Sequence, residues 1–130
     1  MFENADEALA RVQDDIRRAQ WRAERMPDLH AATARARGFA ASDTEDLRVE
    51  IDHTGAVTSL HIDDAALSRG GSALAAELVQ LMGQARTDLQ RTLLDSAIEL
   101  LGDDDPIVIT YRDTLQAEID AAQSGGDDAR

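Results

Sequence analysis

The chain has 130 residues, a mass of 14.1 kDa, no cysteine, and 26 acidic against 13 basic residues, a net charge of −13 with a pI near 4.4. That length suits one domain with a modest core, and the missing thiols exclude disulfide frameworks, thiolate metal sites and cysteine nucleophiles. The charge argues against nucleic acid unless cations are locally concentrated, and no apolar run approaches the ~20 residues of a membrane span. Every basic residue is Arg, a bias that suggests a GC-rich bacterial genome. The start, "MFENADEALARV", is acidic and amphipathic rather than basic and then apolar, so a cytoplasmic location is the expectation.

In chain order, the small or apolar residues Ala5, Leu9, Val12, Ile16, Ala19, Ala23 and Met26 recur at alternating spacings of 4 and 3. Such a stripe is the seam of a helix that lies lengthwise on another helix, and it predicts a first helix over about 3–26. Pro27 lacks an N–H and restricts the residue before it, so the helix is expected to end or kink there. Thr33, Arg35 and Arg37 alternate with Ala32, Ala34 and Ala36 and read as a strand. Leu47, Val49 and Ile51 alternate with Arg48, Glu50 and Asp52; after "HTG", Thr58, Leu60 and Ile62 alternate with Val57, Ser59 and His61. With Gly55 free to take positive φ, these runs predict a hairpin, and with the weaker strand a three-stranded meander. Its apolar face, Val49, Ile51, Leu60 and Ile62, needs a cover.

That cover is expected from a helix over about Ser72–Leu101, where Leu74, Leu78, Leu81, Met82, Ala85, Leu89, Leu93, Ala97 and Leu100 keep helical spacing, with Ser72 as N-cap. Gly102 ends it, and Asp105-Pro106 can start a last helix with Ile107, Tyr111, Leu115 and Ile119 at i+4 steps to about Ala122. The end, "QSGGDDAR", reads as disordered. The expectation is therefore an α+β chain of order α-β-β-β-α (1–101), an extra C-terminal helix (102–122) and a disordered tail (123–130). Helices of 25–30 residues reach roughly 40 Å, far past a sheet three strands wide. A second copy of the chain is the simplest cover for the overhang, so a homodimer is expected.

The element order and the hairpin "VEIDHTGAVTSLHIDDAAL" together resemble the YbaB/EbfC family of small bacterial nucleoid-associated proteins. Val49, Ile51, Gly55, Val57, Leu60, Ile62 and Asp63 carry the resemblance, which spans about Leu9 to Ala97; Asp64 stands where that family often has Pro. The resemblance implies a homodimer whose sheets join and whose long helices project like tweezers, with non-specific duplex DNA binding and no enzymatic reaction. The family also has acidic members associated with type VII secretion, and for these a protein-interaction role is as natural.

For DNA, the row Arg11, Arg18 and Arg25, spaced by seven, falls opposite the seam with Arg17 and Arg22 beside it, and Arg35 and Arg37 extend the positive charge. The alternative is a solvated face balanced by Glu7, Asp14, Asp15, Glu24 and Asp28. Trp21, among these arginines, either stacks on a base or partner or covers the apolar stems of its neighbours. His53, His61, Asp52 and Asp63 have the chemistry of metal ligands but no ligand spacing, and His61 opposite Glu50 or Asp52 would be an ordinary cross-strand pair, so no metal or cofactor is expected. The serines lack a nucleophile elbow, and "RGGSAL" lacks the spacing and Lys of a phosphate loop. Residues 101–130 carry eight acids and two Arg; they read as a solubilising end, a dock for a basic partner, or an element that folds onto the Arg row and competes with DNA.

Overall fold

The computed structural model describes residues 2–128, with side-chain surroundings for 4–124. It is an α+β fold: α1 (Phe2–Arg35), β1 (Arg37–Ala41), β2 (Leu47–Asp52), β3 (Val57–Ile62), a short 3-10 helix (Asp64–Arg69), α2 (Gly71–Leu101) and α3 (Pro106–Asp128). The strands form one antiparallel sheet in the order β1-β2-β3, as the meander reading requires.

The hairpin turns at Gly55, whose φ of 87° is open to glycine and strained for most other residues. Asp52 locks the turn: one carboxylate oxygen accepts the amide of Thr54 at 2.9 Å, its hydroxyl at 2.5 Å and the amide of Ala56 at 3.1 Å. These donors, the Thr54 hydroxyl foremost, hold the Asp52 carboxyl below its ordinary value of 3.8. Across the hairpin Val49 faces Leu60 and Leu47 faces Ile62, with an irregularity between Glu50 and Ile51.

Helix α2 lies on this sheet through Leu81, Ala85, Leu89 and Leu93, which bury Leu47, Val49 and Ile51. Its backbone comes so close that a Cβ on Gly38 would stand 2.1 Å from the Ala85 carbonyl oxygen. This approach is centred on β1 and β2 and leaves β3 at the margin. The expected cover over Leu60 is therefore incomplete: Leu60 is 47% and Val57 46% exposed, whereas Ile62 is partly buried. A second core forms where Leu29 of α1, Ala97 and Leu101 of α2 and Val108 of α3 meet, and Tyr111 touches both cores.

Three boundaries differ from the sequence expectation. Helix α1 passes through Pro27 and ends at Arg35, so 32–35, expected as strand, are helical and β1 begins only at Arg37. The physical reason is packing: Leu29, two residues past Pro27, is 3% exposed in the second core, and burying a Leu contributes about 1.5–3 kcal/mol, comparable to the interior cost of Pro. The Ala-rich run 31–36 then favours helix intrinsically. Helix α2 begins at Gly71 after a Gly70 cap that makes no side-chain bond, so Ser72 is not the N-cap. Helix α3 starts as expected, with Asp105 Oδ1 accepting the Ile107 amide at 2.9 Å, but continues past Ala122 to Asp128; 123–128 are helical where disorder is the sequence expectation, and 129–130 lie outside the described residues.

One tie has no local sequence signature. Asp46, in the β1–β2 turn and 9% exposed, accepts the Ser42 hydroxyl at 2.6 Å and pairs with Arg69, whose other nitrogen bonds Glu77 at 3.0 Å. The Ser42 hydroxyl first, then Thr44 and Arg69, hold the Asp46 carboxyl below its ordinary value against the opposing effect of burial. Asp46 joins the turn to the 3-10 helix, and Arg69 carries the tie on to α2 through Glu77.

Candidate interaction surface

From residue 4 to Trp21 every residue of α1 is exposed. Leu9, Val12 and Ile16 are 57%, 53% and 51% exposed, so the N-terminal part of the expected seam is an uncovered apolar stripe among the described residues, whereas its last member, Met26, packs against the second core. On a straight helix at 100° per residue, Leu29, which anchors α1 to the body, lies roughly 130° around from the middle of that stripe. The Leu9–Val12–Ile16 part of the seam therefore points away from the chain's own α2 and α3, and the stripe turns onto the body only at Met26. The same arithmetic puts Arg11 and Arg18 within about 20° of the line of Leu29. The Arg row thus lies opposite the seam, as expected, but on the side that α1 turns towards its own body.

The seven arginines expected at a DNA surface fall into two groups. Arg11 and Arg17 make long pairs of 3.9 Å with Glu7 and Asp14, all of them highly exposed, and such pairs contribute roughly 0–1 kcal/mol. Arg18 and Arg35 have no ion pair or side-chain hydrogen bond among the described residues. The others are engaged. Arg22 Nε stands 2.8 Å from Asp105 Oδ2, a carboxylate only 7% exposed; its N–H is not aligned for a hydrogen bond, so the pair is held by charge. Arg25 lies over the Trp21 ring at 3.9 Å and donates to the Trp21 carbonyl oxygen at 3.0 Å. Trp21 thus covers a neighbouring Arg, the second of its two sequence readings. Arg37 donates to the carbonyl oxygens of Ala34 and Ala36 and closes the end of α1.

The acidic segment after α2 reaches this surface at one point, through Asp105 on Arg22; Asp103 instead pairs with Arg112 of α3 at 3.1 Å. The histidine cluster does not assemble. His61 faces Arg48 across the hairpin rather than Glu50 or Asp52, and its ring nitrogen contacts Asp63, just past the end of β3. No group of three or more His, Cys, Asp or Glu residues could hold a metal among the described residues. No described helix is long and apolar enough to cross a membrane.

Sequence reading missed two features. Arg86 and Arg91 stand exposed on the outer side of α2, beside a groove of about 1280 Å³ between α2 and the last turns of α3 floored by Ala76, Val79 and Gly83. Asp88 of α2 accepts the amide of Phe39 on the outer edge of β1. The contact α3 makes with the outer face of α2 creates the first, and no local pattern announces it.

Comparison with family models, with curated proteins and with solved structures finds no match to this chain.

Proposed function

We propose that this chain is a non-enzymatic, homodimeric protein of the YbaB/EbfC type that binds duplex DNA weakly and without sequence preference. The observation that carries the reading is the N-terminal half of α1, which leaves the body as a bare helix bearing an apolar seam on one side and Arg11 and Arg18 on the other. The α-β-β-β-α order and the Gly55 hairpin support the resemblance. The apolar seam and the half-exposed Val57 and Leu60 on the β3 edge support a second copy as partner. Arg11, Arg17 and Arg18 are the cations best placed to release counterions, because among the described residues nothing stronger than a loose exposed pair holds them. Arg22, Arg25 and Arg37 contribute less, each having an intramolecular partner.

Titration into labelled duplex DNA at about 50 mM and about 200 mM salt tests this, since cation–phosphate binding falls steeply between them. Binding at the lower salt that weakens at the higher, and is lost with Arg11, Arg17 and Arg18 all replaced by Ala, is the expected result. No binding at the lower salt overturns it. The engagement of Arg22, Arg25 and Arg37, with the net charge of −13, favours a second reading: an acidic adaptor that docks a protein through the helix faces and ignores DNA.

A further inference from the structure

We infer that Asp105 is an autoinhibitory contact that withholds Arg22 from the cation row of α1. This rests on the DNA reading above and names what limits binding at that same site. At 100° per residue Arg22 lies about 20° from Arg11 and about 40° from Arg18 around the helix, so the three arginines share one side of α1 over roughly 16 Å. Arg22 is the last of them, where the helix joins the body. There its Nε is buried and stands 2.8 Å from Asp105 Oδ2.

The carboxylates along this helix differ in how readily a phosphate can replace them. Glu7 and Asp14 belong to α1 itself, lie 3.9 Å from Arg11 and Arg17 and are well exposed, so these pairs loosen at little cost. Asp105 comes from another element and is fixed in place: its Oδ1 accepts the Ile107 amide at 2.9 Å at the start of α3, and its side chain is 7% exposed. If Arg22 turned to a phosphate, that carboxylate would keep its charge in a site water barely reaches, with no cation beside it. Removing one partner of a buried pair is far costlier than loosening an exposed one, so Arg22 is the cation of the row that the fold gives up last. Of the acidic run 103–105 only Asp105 acts this way, since Asp103 pairs with Arg112 and Asp104 is exposed with no ion pair among the described residues.

Two neighbouring substitutions separate this contact from bulk charge. Asp105→Asn removes the charge and keeps a side-chain oxygen for the Ile107 amide, while Asp104→Asn changes the net charge equally and leaves Arg22 paired. One more phosphate contact steepens the log–log salt dependence by about 0.9, so the ratio of duplex affinities at about 50 mM and about 200 mM salt should be about 3–4-fold larger in Asp105→Asn than in Asp104→Asn. Adding Arg22→Gln to Asp105→Asn should erase that difference. Should Asp105→Asn lose the native melting transition, Asp105→Ser, also a strong helix cap, carries the same comparison. If the native chain binds and the Asp105 and Asp104 variants give equal ratios, the inference is overturned while the DNA reading stands. Absence of binding by the native chain at about 50 mM salt overturns both.

Discussion

The carboxylate of Asp88 on α2 accepts the main-chain N–H of Phe39 on β1 at 2.8 Å. An edge strand offers unpaired amides to any other chain, and here a helix side chain from 49 residues further on takes one of them. The sheet is thus guarded at β1 and open at β3. Asp88→Ala frees the Phe39 amide, next to an exposed Phe ring, and should cost about 1 kcal/mol. It should also raise the tendency to aggregate, read as earlier onset of light scattering in a thermal ramp, whereas Asp88→Asn should keep part of the protection.

Gly38 sets how closely α2 sits on the sheet. A methyl group there would meet the Ala85 carbonyl oxygen at 2.1 Å and Leu89 Cβ at 2.9 Å, and the first is backbone that cannot rotate away. Gly38→Ala should therefore destabilise by about 2–3 kcal/mol through displacement of α2, read as a lower denaturant midpoint with an unchanged m-value. A midpoint equal to that of the native chain would refute this account of the packing.

Pro27, itself exposed, leaves the helix ladder of α1 without one hydrogen bond, between the partly buried Met26 and the buried Leu29. Pro27→Ala restores that bond and should raise both helix content by circular dichroism and the melting temperature, by up to about 3 kcal/mol of stability. A melting temperature lower than the native one would instead mean that the proline bends α1 into its anchored position.

Acid should loosen the two turns. The Asp46 and Asp52 carboxyls are held below the ordinary value of 3.8 in the fold, so the ionised forms stabilise it, fully so above the unfolded pKa. That contribution is lost as pH falls through the lower folded values, below about pH 4. Melting temperature measured from pH 7 to pH 2.5 should fall at the acid end, and the fall should be shallower in Ser42→Ala and Thr54→Ala, which remove the leading donor to each carboxylate.

The hairpin is legible from sequence because period-two alternation and a glycine turn are local signals: Val49, Ile51 and Gly55 act with their own neighbours. The helical half of the fold was legible for the same reason. What sequence misses is set at a distance. Nothing near Pro27 says that Leu29 will be buried against Ala97 and Val108, and so nothing announces that the helix will outlast its proline. The Asp46–Arg69 pair joins residues 23 apart through the approach of α2 and the 3-10 helix, and the half-bare Leu60 follows from where α2 settles on the sheet. At the candidate surface, the residue types and their spacing are readable, while the partners that occupy Arg22, Arg25 and Arg37 come from the folded chain.

The anchorage of α1 at Leu29 also fixes the mechanics of its free half. Some 20 residues beyond the anchor form a cantilever of roughly 30 Å, so a rotation of about 10° at the base sweeps the tip through about 5 Å. Small changes in the packing of Leu29 against Val108 are thereby magnified where Leu9 and Arg11 stand. Substitutions in that small core, far from any partner, should act as adjusting screws on what the arm can grip.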